Sequence, residues 1–279
     1  MAGRRMDSLF LCPVCGKVLD RNEGGYRCGN GHSFDRAAAG YVHLLPANRK
    51  HSGDPGDDKE MVAARNRFLS GDWYAPLRDR LADLALKYAP DRCVVLDAGC
   101  GEGYYSAAVY RALTEAGKAV KMAGVDLSKH ALKRASKRAK AIEFAVASVY
   151  GLPVADHCVH LLLNCFSPLA LEEFLRVLRP GGVYLYVVPG EKHLWELKQV
   201  LYDKPYPNTE KRTPYPGLTY LEVAEVDQMI RLPDQQTIQD LFRMTPYAWK
   251  TPREGKDRLA ALDSMDVTIS FRVHVFRRD

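Results

Sequence analysis

The sequence predicts a doubly wound α/β domain with a small metal-binding module at its N-terminal end. Two stretches carry that reading. In the first, the apolar β-type run Val94-Val95-Leu96 ends in Asp97 and enters the glycine-rich turn Gly99-Cys100-Gly101-Glu102-Gly103. After Tyr104, Tyr105 and Ser106 open a predicted helix. A strand, a glycine turn and a helix in that order present a nucleotide-like ligand at the carboxyl end of a parallel sheet. In the second, Cys12-Pro13-Val14-Cys15 is followed by Cys28 and His32 in the pattern C-x2-C-x12-C-x3-H.

The chain has 279 residues, 47% hydrophobic and 27% charged. That suffices for one large α/β domain plus a small module. No apolar run reaches the ~18 residues of a membrane span. Met1-Ala2-Gly3-Arg4-Arg5 leads into no apolar segment, so no signal peptide is expected. The net charge of +6 is permissive for an RNA partner without requiring one. Seven cysteines show no secreted disulfide spacing, and Cys93, Cys100, Cys158 and Cys165 fall in or beside predicted strands. Reduced thiols suit the cytoplasm.

Residues 1–46 read as the metal module. Cys12, Cys15, Cys28 and His32 offer three thiolates and an imidazole, the donor set of a closed structural Zn2+ site. With four protein ligands no position stays open for catalysis. So short a segment buries little core, so the metal is expected to supply much of its folding energy. Residues 47–56 are polar, with Gly and Pro, and read as a linker in which Arg49, Lys50 and His51 form a small positive cluster. Residues 57–279 form the large domain. Asp57 or Asp58 starts a helix with the apolar stripe Met61, Ala64, Phe68 and Leu69; Leu77, Leu81, Leu84 and Leu86 mark a second helix.

The second strand ends at Asp126, where a carboxylate can accept hydrogen bonds from ribose hydroxyls. A basic helix follows over residues 128–140, read as a solvated face with an RNA-facing stripe as the alternative. Strands are expected over residues 142–146, 159–163 and 183–188, with a crossover helix over 172–177. Near the C-terminus, residues 192–200 and 236–242 read as helices and 220–230 and 267–276 as strands. The Pro/Tyr-rich stretch 204–216 reads as a flap or an interface.

The spacing Gly99-Cys100-Gly101-Glu102-Gly103 resembles motif I of the Rossmann-like class I S-adenosylmethionine (SAM) methyltransferases; the alternative is a dinucleotide-binding domain. Ala147-Ser148-Val149-Tyr150-Gly151-Leu152-Pro153 and Leu178-Arg179-Pro180-Gly181-Gly182 fit the same resemblance. It implies cofactor contacts at Asp97, Gly99, Gly101, Gly103, Tyr105, Ser106 and Asp126, with Ser148 at the adenine edge where many relatives carry Asp. The C-P-x-C knuckle, then C-x3-H-x-F-D, Gly40-Tyr41-Val42-His43-Leu44-Leu45-Pro46 and Asp54-Pro55-Gly56-Asp57 resemble the RlmA (RrmA) family more narrowly. Tyr74-Ala75-Pro76-Leu77, His193-Leu194-Trp195 and Met244-Thr245-Pro246-Tyr247-Ala248-Trp249 extend the likeness over most of the chain. The resemblance implies methylation of N1 of a guanine in a 23S rRNA hairpin near the peptide exit tunnel, a homodimer, and no DNA or membrane partner. It also adds Tyr74 and His193 to the SAM pocket.

Guanine N1 must lose a proton, so a general base or a donor to the developing enolate is expected. Asp54, Asp57, His193 and the segment Asn164-Cys165-Phe166-Ser167 are the candidates, and the catalytic residue stays unassigned. Tyr104, Phe166 and Trp249 are candidate stacking platforms for an exposed base. There is no Asn/Asp-Pro-Pro-Tyr, which argues against amino-group methylation. A methyltransferase acting on a small molecule and an RNA-binding protein that merely holds SAM are the alternatives.

Overall fold

The computed structural model describes residues 6–22, 24–46, 56–210 and 212–279. The expected roles of Arg49, Lys50, His51 and Asp54 lie outside the described residues. In the N-terminal region β1 (Met6–Leu11), β2 (Val18–Arg21), β3 (Gly25–Cys28) and β4 (Ser33–Asp35) form an antiparallel sheet in that order. Cys12 and Cys15 lie in the β1–β2 connection and Cys28 and His32 at the β3–β4 connection, so these two turns bring the four donors together. A further short strand, β5 (Val42–His43), follows.

The large sheet is built from β6 (Arg92–Ala98), β7 (Ala119–Asp126), β8 (Glu143–Val146), β9 (Val159–Cys165), β10 (Leu178–Pro189), β11 (Leu218–Leu232) and β12 (Met265–Arg278), with β5 at one edge. The strand order is β11-β12-β10-β9-β6-β7-β8-β5. All pair in parallel except β12, which runs antiparallel between β10 and β11. Chain progression reverses at β6, which lies between β7 and β9. That switch point opens a crevice beyond the carboxyl ends of the strands.

Helices cover one face. α1 (Lys59–Ser70) is capped by Asp58, whose carboxylate accepts the Met61 N–H at 2.8 Å. α2 (Ala75–Tyr88) packs on α3 (Tyr104–Glu115), with Leu77, Leu81, Leu84, Val109 and Leu113 meeting Val95, Leu161, Leu163 and Leu185 of the sheet. α4 (Lys129–Arg138) is capped by Ser128. α5 (Leu171–Val177) lies against the other face, and α6 (Trp195–Leu201), α7 (Gln235–Arg243), α8 (Tyr247–Lys250) and α9 (Arg253–Ala260) complete the chain. Among the described residues no helix is long and apolar enough to cross a membrane.

The second face of the sheet is shared. Leu96, Ala98, Leu162 and Tyr184 form one core with Phe174 of α5 and with Phe10, Leu19, Tyr26 and Val42 of the N-terminal region. The Leu11 N–H donates to the Pro153 carbonyl at 2.8 Å, and Ser8 Oγ donates to Glu143 at 2.7 Å. The expected module boundary at residue 46 therefore lies beyond β5, which belongs to the large sheet. Sequence reading left β1 to β5, α8 and α9 unrecognised, because elements this short carry little legible periodicity. β10 begins at Leu178, ahead of the expected Val183, through an irregular register between those residues.

Gly124 of β7 sits where a side chain has no space: a Cβ there would lie 2.8 Å from the Phe144 ring and 2.9 Å from Cys100 Sγ. Gly124→Ala is expected to destabilise the fold by ~1–3 kcal/mol through overpacking. Denaturant unfolding checks this, and an unchanged midpoint would mean the sheet yields at that point.

Candidate active site and metal centre

Beyond β6 the chain turns through Gly99, which has φ +87° and passes so close to β9's following loop that a Cβ would meet Ser167 Oγ at 2.2 Å. Only glycine fits that approach. The next turn residues are tied to β7: the Gly101 N–H donates to Asp126 Oδ2 at 2.9 Å, and the Ser128 N–H donates to Asp126 Oδ1 at 2.8 Å. Burial pushes the Asp126 carboxyl up, against the pull of these two N–H groups. Gly103 precedes α3 directly, with φ +72°.

Asp97, the last acid of β6, is almost fully buried. Ser106 Oγ donates to its Oδ2, while its Oδ1 has no hydrogen-bond partner. Desolvation raises its carboxyl to about 7; the Ser106 hydroxyl opposes the rise and the nearby Asp126 charge adds to it. An unpaired buried acceptor costs ~1–3 kcal/mol unless a ligand donor satisfies it. The Ser106 side chain is thus committed to Asp97, leaving its backbone for a ligand. Tyr105 is half-buried, 5.2 Å edge-to-face from Tyr104. Ser148 Oγ accepts the Tyr150 N–H at 3.2 Å.

Around the carboxyl end of β10 an aromatic cluster closes the crevice. Tyr74, just before α2, lies 5.0 Å from Phe271 and 6.2 Å from His193, and His193 lies 4.6 Å from Phe271. The Ser270 N–H donates to His193 Nδ1 at 3.2 Å. Burial, with the Lys198 charge adding, lowers this imidazole to about 3. His193 is therefore neutral with its proton on Nε2. It is a donor, which removes it from the candidate general bases. Phe271 is the member that sequence reading missed; its only signal was the alternation of the final strand.

At the tip of β9, Asn164 is fully buried and donates through Nδ2 to the carbonyls of Ala98 (3.2 Å) and Pro168 (3.3 Å), while its Oδ1 has no partner. Phe166 has φ +58°, costly for a non-glycine residue, and presents its ring half-exposed, 5.5 Å from Phe271. Other candidates lie elsewhere. Asp57 pairs with Arg65, and its carbonyl accepts from Ser128 Oγ at 2.8 Å, so it sits by β7, two strands from the β9 tip. The Tyr104 ring is flanked by the guanidinium groups of Arg78 (5.6 Å) and Arg138 (5.5 Å), and its hydroxyl donates to Asp72. It is a structural clamp, not an open platform. Trp249 lies exposed on α8. Sequence reading also passed over Glu102 within the glycine turn. It is buried and takes donors from Arg138 (2.7 Å) and Asn66 (3.1 Å) on Oε1, so it anchors α4 and α1 to the turn.

In the N-terminal module the donor atoms of Cys12, Cys15, Cys28 and His32 all lie within 4.8 Å of one another. With Zn–S near 2.3 Å and Zn–N near 2.05 Å, a tetrahedron has S···S edges of about 3.8 Å and S···N edges of about 3.6 Å. The Cys15–Cys28 sulfurs are 3.7 Å apart, and His32 Nδ1 is 3.6 Å from Cys12 Sγ and 3.3 Å from Cys28 Sγ. The donor set and its spacing fit zinc. Replacing Cys12 and Cys15 together by Ser is expected to abolish a single equivalent of bound zinc and to lower the thermal midpoint of the whole chain, because this module shares its core with the sheet. Metal analysis and calorimetric melting check this; full zinc occupancy in the double variant would contradict the assignment.

Residues 10–53 match the family model described as RlmA, N-terminal, and residues 90–241 match a methyltransferase domain model. The chain is 35% identical to the 23S rRNA (guanine(748)-N(1))-methyltransferase of Streptomyces fradiae, over 95% of each chain. It is 34% identical, over 94% of each chain, to YxjB of Bacillus subtilis (strain 168), which carries a 23S rRNA (guanine-N(1)-)-methyltransferase name provisionally. The YcgJ protein of Bacillus subtilis shares the fold, with a TM-score of 0.50 at 16% identity over 71% of this chain and 97% of its own. Zinc ribbon, methyltransferase sheet and near full-length relatives agree: the chain belongs to the RlmA family of SAM-dependent methyltransferases.

Proposed function

We propose that this protein methylates N1 of a guanine in a hairpin of 23S rRNA near the peptide exit tunnel. The observation that carries the reading is a zinc ribbon fused through a common core to a methyltransferase sheet, along a length that matches a relative named for that reaction. A cytoplasmic homodimer with no DNA or membrane partner completes the reading, from the family resemblance.

Bound SAM supplies a methyl group already activated by its positively charged sulfonium. The protein's residues bind and align. In this reading Asp126 holds the ribose hydroxyls, and the unpartnered Oδ1 of Asp97 takes the amino group of the methionine portion. The turn Gly99, Gly101 and Gly103 lets the cofactor approach the backbone, the first N–H groups of α3 at Tyr105 and Ser106 receive its carboxylate, and backbone beside Ser148 edges the adenine. Tyr74 and His193, with Phe271, wall the sulfonium region; an aromatic face near a cation contributes ~0.5–2 kcal/mol.

Phe166 supplies the exposed ring on which a flipped guanine stacks. Asn164 fixes that tip against the glycine turn through the Ala98 carbonyl, so acceptor and cofactor edges keep one geometry. The Nε2–H of neutral His193 is the donor available to the base oxygen as the N1 proton passes to water and negative charge grows on that oxygen. On the basic helix, Arg134 and Arg138 are spent on Asn66 and Glu102, while Lys133 and Lys137 stay exposed for phosphate.

Methyl transfer from labelled SAM to 23S rRNA lacking its natural modifications is expected to yield 1-methylguanosine at one position, identified by mass of the product nucleoside. No incorporation, with SAM still binding in a calorimetric control, would overturn the reading. Asp126→Ala is expected to weaken SAM binding by ~1–3 kcal/mol through lost charged hydrogen bonds; unchanged calorimetric affinity would remove Asp126 from the site.

A further inference from the structure

A cavity of about 400 Å³ lies between β10, β11, β12 and residues 208–210 and 212–215 of the Pro/Tyr-rich stretch. Its volume falls within the range of small-ligand sites. It is set at the carboxyl end of β10, where Tyr186 registers with Asn164 of β9, two residues before the exposed Phe166. The turn after β10 joins it to the aromatic cluster. His193 sits on that turn, and the same turn anchors the cavity wall: the Glu191 N–H donates to Glu210 at 2.7 Å, and Asn208 donates to the Gly190 and Glu191 carbonyls. Lys198 Nζ reaches across to Asn208 Oδ1 at 2.7 Å, so the segment is held in place over the sheet.

The lining combines flat rings with charged groups of both signs. Tyr186, Tyr215 and Tyr220 contribute the rings, and Tyr220 hydrogen-bonds His274 Nδ1 at 3.1 Å. Burial keeps His274 below the usual imidazole range, so it adds a neutral ring. Arg272 is surrounded by Asp227 (2.9 Å), Glu210 (3.1 Å) and Glu225 (4.0 Å). In the lining Glu210 and Glu225 balance Arg212 and Arg272, with Asp227 holding Arg272 from outside it, so the rings and the Glu210 carboxylate suit a planar group with N–H donors. Unpaired nucleobases are held in this manner, by stacking on aromatic rings and hydrogen bonds to their edges.

We propose that this cavity receives a second, unpaired nucleobase of the RNA, a neighbour of the target guanine, stacked on the tyrosine rings with its amino edge on Glu210. The inference rests on the RNA reading above. Exposing N1 of a paired guanine opens the hairpin locally and leaves neighbouring bases unstacked, and the pocket one strand away captures one of them.

The test uses the full-length protein and an unmodified 23S rRNA hairpin in which each nucleotide beside the target is made abasic in turn. With wild-type protein, one abasic position is expected to raise the KM for RNA about ten-fold, the scale of one stacked base. Tyr215→Ala and Glu210→Gln are each expected to raise that KM by about the same factor on intact RNA, and Tyr215→Ala to erase the penalty of that one abasic position. Calorimetric SAM affinity and kcat at saturating RNA should stay at wild-type values, and Tyr215→Phe should match wild type throughout. Wild-type KM in both variants, or undiminished abasic penalties in Tyr215→Ala, would overturn the pocket assignment alone. A wild-type protein that methylates no RNA would overturn the functional reading and this inference with it.

Discussion

The missing Cβ of Gly99 is the constraint on which the site depends. Ser167 occupies the space a side chain would need, so the glycine turn after β6 and the loop after β9 interlock. Asn164 reinforces the contact by donating to both Ala98 and Pro168. Two loops from neighbouring parallel strands thereby become one rigid edge, with the glycine turn and Asp97 on one side and the exposed Phe166 on the other. Alignment of two reactants is worth most when neither surface can drift. A buried side-chain amide bridging two backbones achieves this more tightly than loop packing alone.

That edge carries a concentration of buried acid. Asp97, Glu102 and Asp126 lie around one turn, and all three carboxyls are pushed up, chiefly by burial. Glu102 is compensated from within by Arg138 and Asn66. Asp126 is compensated by two backbone N–H groups. Asp97 has a single hydroxyl on one oxygen and no partner on the other. Its raised pKa has a definite sign: the stability it contributes is full below the unfolded value of 3.8 and is lost as pH rises toward about 7. Near neutrality the unliganded fold therefore holds a carboxylate it would sooner protonate. In the proposed complex a cationic amino group at Oδ1 would offset that penalty, so the acid that weakens the empty fold would strengthen the bound one.

Electrostatics at the turn and packing beneath it meet in the zinc ribbon. Phe10, Leu19 and Tyr26 cover the sheet face opposite α2 and α3, and β5 extends its edge. The ribbon is therefore a structural wall of the methyltransferase domain as well as a separate metal fold. Any RNA surface it offers keeps a fixed orientation to the β9 tip, which a tethered module joined by linker alone would lack.

What could be read in the sequence divides along the distance over which each feature is determined. Motif I, the helix start at Asp57 or Asp58 and the cysteine knuckles are local: a few neighbouring residues dictate them, and their spacing survives in the sequence. The same holds for the succession along the chain of the apolar runs that become the parallel strands. Features set by packing between distant segments stayed hidden. Tyr104 looked like an open ring because nothing in its neighbourhood announces that Arg78 and Arg138 flank it. His193 looked like a base because only the Ser270 N–H, delivered by the last strand, decides which ring nitrogen keeps the proton. Phe271 was invisible for the same reason, being one apolar residue in an alternating run until β12 inserts beside β10 and brings it against Tyr74. The antiparallel strand that enters last in sequence thus completes the pocket that the first parallel strand begins, and the donor role of His193 exists only once that insertion is made.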